Sequence, residues 1–195
     1  MRTVKTVQRR GCGCCLFIVL AGLALIAAAI FAGARLADAA GPVRDIALAI
    51  DNSPSNWECD GVGTDPELLR GQAARLFISY LGAESGAAQY RFAALSFGGR
   101  PETVAPLTDL RDAAARRELL DAVGQAQPIP WTDPALALEA ADALLAAGGR
   151  PGLQTIVLLT DGDPARDPTR GLTDAAYRAA LDAAVRRLTE NRVTL

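Results

Sequence analysis

The sequence predicts an α/β domain in which helices cover both faces of a mostly parallel, doubly wound sheet, making a three-layer sandwich. Three observations predict it. From residue 43 onward, strand-like and helix-like segments alternate. Two segments, "DIALAID" and "TIVLLTD", are short continuous apolar runs, the pattern of central strands buried on both faces. Both runs stop at an aspartate, Asp51 in one and Asp161 in the other.

The elements follow in order. "MRTVKTVQRR" carries Arg2, Lys5, Arg9 and Arg10 and no acid, and residues 11–34 then run without a charge. Roughly 20 apolar residues span a bilayer core. Residues 1–10 therefore read as a cytoplasmic basic tail and 11–34 as a transmembrane signal anchor. Positive residues stay cytoplasmic, which puts the N-terminus inside and everything after Arg35 outside. The alternative is secretion after signal cleavage, with "ADA" at 37–39 as the cleavage site. The apolar run is long for that reading. Residues 35–42 form a short linker containing Gly41 and Pro42.

The domain itself covers 43–195. "DIALAID" is its first strand. "DPELLRGQAARLFISYL" is a helix with Leu68, Leu69, Ala73, Leu76, Phe77 and Tyr80 on one face. "QYRFAALSFGG" is a second strand. "PETVAPL" is a third, antiparallel to it after a Gly-Gly turn, and Pro101 and Pro106 place it at an edge. "DLRDAAARRELLDAVG" is a helix with an aspartate cap and a terminal glycine. "TDPALALEAADALLAAGG" is another. "LQTIVLLTDGD" is the next strand and "TDAAYRAALDAAVRRLTENR" the last helix. "VTL" opens one more strand, where the chain stops.

Composition removes several function classes. The 195 residues suffice for one sizeable core, and the formal net charge of -2 gives no basic footprint for nucleic acid. With no histidine, His-based acid/base chemistry, Ser-His-Asp triads and most zinc sites are excluded. Lys5 is the only lysine and lies outside the folded part, which excludes a P-loop. Cys12, Cys14 and Cys15 lack the paired spacing of a zinc site and read as small apolar residues at a membrane boundary. Cys59 is the one cysteine beyond the anchor, so it is free or pairs between chains.

Doubly wound sheets bind ligands at the carboxyl ends of their strands. A carboxylate ending an apolar strand is costly unless paired or bound to a cation, and two at one sheet edge repel. A hard divalent cation resolves both problems. Asp51-x-Ser53-x-Ser55 follows the first strand, and Thr132 in "PWTDPALALEAA" and Asp161 in "VLLTDG" come later in the same order. Together with the hairpin "FAALSFGGRPETVAPLTDL", these residues resemble the D-x-S-x-S, threonine and aspartate pattern of von Willebrand factor type A (VWA) domains. The resemblance covers about residues 43–195. It implies a Rossmann-like fold and a metal-ion-dependent adhesion site (MIDAS). Asp51, Ser53, Ser55, Thr132 and Asp161 would be its metal ligands, for Mg2+ or Mn2+. An open position on the cation would accept an acidic residue from a partner protein. The residue chemistry agrees, because Mg2+ prefers six oxygen ligands and keeps some waters. A partner carboxylate adds charge-assisted binding.

Other readings of these residues stand beside this one. "NSPS" is good turn chemistry. "TDP" at Thr132 is also a helix start, and the same triplet occurs at Thr64. Thr132 is chosen because Thr64 lies in the loop that already supplies the serines. Asp133 and Asp163 stand behind the metal ligands or, the simpler reading, only cap helices, and Trp57 covers the site or, more simply, packs beside it. Pro54 between the serines, Asn56-Trp57 and the long loop from Asn56 to Asp65 depart from the family pattern. So does the end of the chain, which stops inside the first of two further strands that the family has. The rival function is a Mg2+-dependent phosphohydrolase with an aspartate nucleophile. That chemistry wants a second acid where Ser53 stands, and a lysine, so the sequence argues against an enzyme. A third reading is a scaffold with an empty metal site.

Overall fold

The computed structural model describes residues 42–57, 63–83, 89–125, 127–148, 153–162 and 164–195. Among these, β1 (Val43–Asp51), β2 (Gln89–Phe97), β3 (Pro101–Asp109) and β4 (Gln154–Leu159) form one sheet in the order β3-β2-β1-β4. β1 pairs in parallel with β2 and β4, and β3 runs antiparallel to β2 at the edge, where its two prolines are tolerated. The "VTL" segment extends the sheet beyond β4. Thr194 bridges Thr155 in parallel, and Ile156 N–H donates to Thr194 O at 2.7 Å.

The helices are α1 (Leu69–Ala83), α2 (Ala113–Val123), α3 (Pro134–Ala146) and α4 (Asp174–Glu190). Alternation along the strands assigns them to faces. Ile46, Leu48 and Ile50 of β1, with Phe92 and Ala94 of β2, meet Ala74 and Ile78 of α1 and Leu119 and Val123 of α2. Ala47, Ala49, Ala93, Leu95 and Phe97 point the other way, onto Leu138, Ala141 and Leu145 of α3 and Leu188 of α4. Each fully buried Leu, Ile or Phe contributes about 1.5–3 kcal/mol, so β1, buried on both faces, anchors both layers.

α1 differs from the expectation. The stripe through Leu69, Leu76 and Tyr80 faces outward, with exposures of 54%, 72% and 62%. The buried side is Gly71, Ala74 and Ile78, with Phe77 packed edge-on to Phe92 at 5.6 Å between ring centroids. The inward face is thus a second stripe, in which Ile78 and Phe77 supply the apolar bulk beside the small Gly71 and Ala74.

The basic tail, the predicted span, the linker before Pro42, all four cysteines and Asp163 lie outside the described residues. Among the described residues no helix is long and apolar enough to cross a membrane.

Candidate metal centre

The parallel register puts Ile50 beside Leu159, so β1 and β4 end together. Asp51, the last residue of β1, is fully buried. Ser53 N–H donates to its Oδ1 at 2.8 Å and the Thr160 hydroxyl donates to its Oδ2 at 2.7 Å. Each carboxylate oxygen is therefore aimed by a donor, one from its own loop and one from the end of β4. Ser53 and Ser55 share a hydroxyl–hydroxyl hydrogen bond of 3.0 Å. Asn56 Nδ2 donates to Ser53 Oγ at 3.2 Å, and a single 3-10 turn at Pro54–Asn56 holds these residues in place. Pro54 at the start of that turn suits its fixed φ.

Asp161 follows β4 and is exposed. The Thr64 hydroxyl donates to its Oδ2 at 2.6 Å and also reaches Ser55 O and Asn56 Oδ1, each at 3.4 Å. Thr64 thus ties Asp161 to the serine loop, a role its place in the sequence did not reveal.

Thr132 arrives on the loop before α3. Ile129 N–H donates to Asn52 O at 2.8 Å, and Asp133 N–H donates to Gly98 O at 2.7 Å. Thr132 is buried, and its N–H donates to Ala165 O at 2.6 Å. Asp133 caps α3 by accepting from Leu136 N–H at 3.1 Å, so the cap is the aspartate and the Thr132 hydroxyl is not spent on it. Asp133 also pairs with Arg170. Asp65, in the twin triplet, likewise accepts from Leu69 N–H at 2.7 Å and Arg70 N–H at 3.0 Å.

Gly98 makes the loop's approach possible. A Cβ there would sit 2.2 Å from Ile129 O, a backbone atom. Gly98→Ala is expected to push the 129–133 loop away and cost about 1–3 kcal/mol, read by thermal unfolding. An unchanged midpoint would show that the loop position is not fixed by this contact.

Residues not read from the sequence complete the site. Asn52 Nδ2 donates to Ser96 Oγ at 3.0 Å, and its Oδ1 accepts from Arg70 Nε at 3.2 Å. Arg70 lies over the Trp57 ring at 5.6 Å and pairs with Asp65 at 3.3 Å. Burial pushes the Arg70 guanidinium below its ordinary value, while the charges of Asp65, Asp51 and Asp161 pull it back up. "TDP" at Thr64 and "LLTDG" at Thr160 carried the available signal for two of these residues.

The five predicted ligands offer only oxygen donors: two carboxylates and three hydroxyls. Such a set fits a hard divalent cation. Among the described residues no group of three His, Cys, Asp or Glu gathers, at these strand ends or elsewhere, so the hydroxyls would have to complete the set. Of the five, Asp51, Ser53 and Thr132 are buried, Ser55 is half-buried and Asp161 is exposed.

Solved structures share this fold. Proximal thread matrix protein 1 from the mussel byssus is 18% identical with a TM-score of 0.55, over 80% of this chain and 35% of that chain. A von Willebrand factor type A structure from Catenulispora acidiphila is 19% identical with a TM-score of 0.54, over 77% of this chain and 32% of that one. Another structure of the mussel protein, with zinc in its MIDAS motif, is 15% identical with a TM-score of 0.51, over 73% of this chain and 36% of that one. This chain spans about a third of the length of each. Among curated proteins, none matches it. The model of the von Willebrand factor type A domain matches residues 45–195, a stretch that contains all five predicted ligands. On that match, the chain belongs to the von Willebrand factor type A domain family.

Proposed function

We propose that this chain is a membrane-anchored binding module that captures a protein partner through a divalent cation, Mg2+ or Mn2+. Asp51, Ser53, Ser55, Thr132 and Asp161 would hold the cation. One observation carries the reading: the fully buried Asp51 carboxylate, with Ser53 and Ser55 hydroxyls 3.0 Å apart just beyond it, at the strand end shared with Asp161. A bound cation supplies a Lewis-acidic position that an incoming carboxylate can fill. This chain's residues do the rest. Asn56 and Thr160 aim the ligands, and the exposed Asp161 side leaves access for a partner. The zinc-occupied MIDAS motif of the mussel protein supports the same use of the fold.

The uncharged run at 11–34 and the basic tail before it support an anchor with the N-terminus cytoplasmic and the domain outside. The module is proposed as a binder rather than an enzyme, because Ser53 stands where a phosphohydrolase would need its second acid.

The test is thermal unfolding of the full chain with Mg2+, Mn2+ or EDTA. Both cations are expected to raise the midpoint, and EDTA to reverse it. Equal midpoints under all three conditions would overturn the cation site. Turnover of p-nitrophenyl phosphate that needs Mg2+ would favour the enzyme instead.

A further inference from the structure

Trp57 and Arg70 form a cluster of donors without acceptors. Among the described residues, four buried side-chain nitrogen or oxygen atoms lack a hydrogen-bond partner. Three of them are Trp57 Nε1 and Arg70 Nη1 and Nη2. The two side chains are in contact, with the guanidinium over the indole at 5.6 Å. The Arg70 side chain is only 10% exposed. Asp65 Oδ2 lies 3.3 Å from Nη1 as an ion pair without hydrogen-bond geometry, and Asp65 Oδ1 and Oδ2 accept from Leu69 N–H and Arg70 N–H. Arg70 Nε is spent on Asn52 Oδ1. The two Nη groups and the indole N–H therefore remain available.

Buried donors left unpaired cost free energy, and more when charged. A group that supplies acceptors and negative charge removes that cost. The planar fork of a guanidinium matches a carboxylate bidentately. Arg70 also forms part of the wall of a cleft of about 360 Å³ shared with Asn56, Thr64, Thr160 and Asp161. The cleft therefore joins Arg70 to Asp161, one of the five proposed ligands.

We propose that Trp57 and Arg70 form an anion-receiving pocket whose occupant is a carboxylate. The inference deepens the cation-site reading and rests on it for the ligand's other end. The ligand presents two acidic groups, one to the cation and one to Arg70. Asp65 and Asp161 would repel an anion in this cleft, so a cation at the strand ends favours its entry. The indole covers the guanidinium and must shift to admit the carboxylate, which makes Trp57 the reporter.

The experiment follows Trp57 emission in the full chain carrying Trp131→Phe, which leaves Trp57 as the sole tryptophan. Tetraglutamate, tetraglutamine and glutarate are titrated in Mg2+. Tetraglutamate is expected to shift the emission, and tetraglutamine is not. Arg70→Met is expected to weaken tetraglutamate binding by about tenfold or more, the loss of one charge-assisted contact. Arg70→Lys keeps the charge without the fork, is expected to lie between, and carries the test where Arg70→Met does not fold. Glutarate binding as tightly as tetraglutamate supports the pocket with a small free acid as the source. Tighter tetraglutamate binding supports an acidic protein segment. Arg70 variants that bind like the parent, or emission unresponsive to either anion, would overturn the pocket. The Mg2+ thermal shift reads the cation site separately. Its presence without any Arg70 dependence removes only the pocket, and its absence with Arg70-dependent anion binding removes only the cation site.

Discussion

Asp51→Ala is expected to abolish the cation-linked stabilisation completely. A ligand present at a hundredfold excess over its Kd stabilises the native state by about 2.7 kcal/mol. For a domain of this size that is roughly 5–10 °C in the unfolding midpoint. Asp51 is fully buried and is one of only two carboxylates among the five proposed ligands, so its loss halves the negative charge they offer a cation. The variant also loses stability without any cation, because Ser53 N–H and the Thr160 hydroxyl lose their acceptor. Each donor stranded in this way costs about 1–3 kcal/mol. The informative quantity is therefore the difference between midpoints with and without Mg2+ in the same variant. Asp51→Asn keeps the shape and an acceptor oxygen, and separates charge from packing. A Mg2+ shift in Asp51→Asn equal to that of the parent would sink the metal assignment.

Arg91→Met is expected to destabilise the domain by about 3–5 kcal/mol, the cost of removing one partner of a buried ion pair. Asp45 is fully buried near the start of β1, and Arg91 lies beside it on β2 in the parallel register. The pair is bidentate, with Nε to Oδ1 at 2.7 Å and Nη2 to Oδ2 at 2.8 Å. Arg91 Nη2 also donates to Gly148 O at 2.9 Å, which ties the end of α3 to the same point. The hydrogen bond with Asp45 raises the Arg91 pKa above its ordinary value, so the guanidinium stays charged. Denaturant unfolding measures the loss. The double variant Asp45→Asn/Arg91→Met is expected to be less destabilised than the sum of the singles, because it removes the buried charge together with its partner. Asp45 and Asp51 are six residues apart on one strand, about 20 Å at about 3.3 Å per residue. The Mg2+ shift of Arg91→Met should therefore match the parent, and a reduced shift would mean that the two ends of β1 are coupled.

The strand ends were legible because their signal is local. An apolar run ending in a carboxylate is unusual enough to mark both Asp51 and Asp161, and the alternate spacing of Ser53 and Ser55 adds to it. The antiparallel edge strand could be read from Pro101 and Pro106 for the same reason. Thr64, Asn52 and Arg70 were not legible. Their contacts with Asp161, Ser96 and the Trp57 ring join segments far apart in the chain, and no periodicity encodes which loops converge. The outward stripe of α1 shows a related limit. Helical spacing groups Leu69, Leu76 and Tyr80, but the face that turns inward carries Ala74 and Ile78, and spacing alone does not choose between two stripes. Thr132 falls between these cases. Its triplet was ambiguous until the fold assigned the cap to Asp133.

The serine loop and the start of α1 are fastened to each other by two backbone rungs. Thr64 N–H donates to Ser55 O at 3.0 Å and Asp65 N–H donates to Asn56 O at 3.1 Å. These rungs close the loop at its base, directly beside the site. The free energy of closing a loop changes only slowly with its length. The connection between the two rungs can therefore change in length at little cost while its base stays fastened. Gly63 must stay, since a Cβ there would lie 2.4 Å from Asn56 O. Length at this position is a variable that the rest of the scaffold does not register.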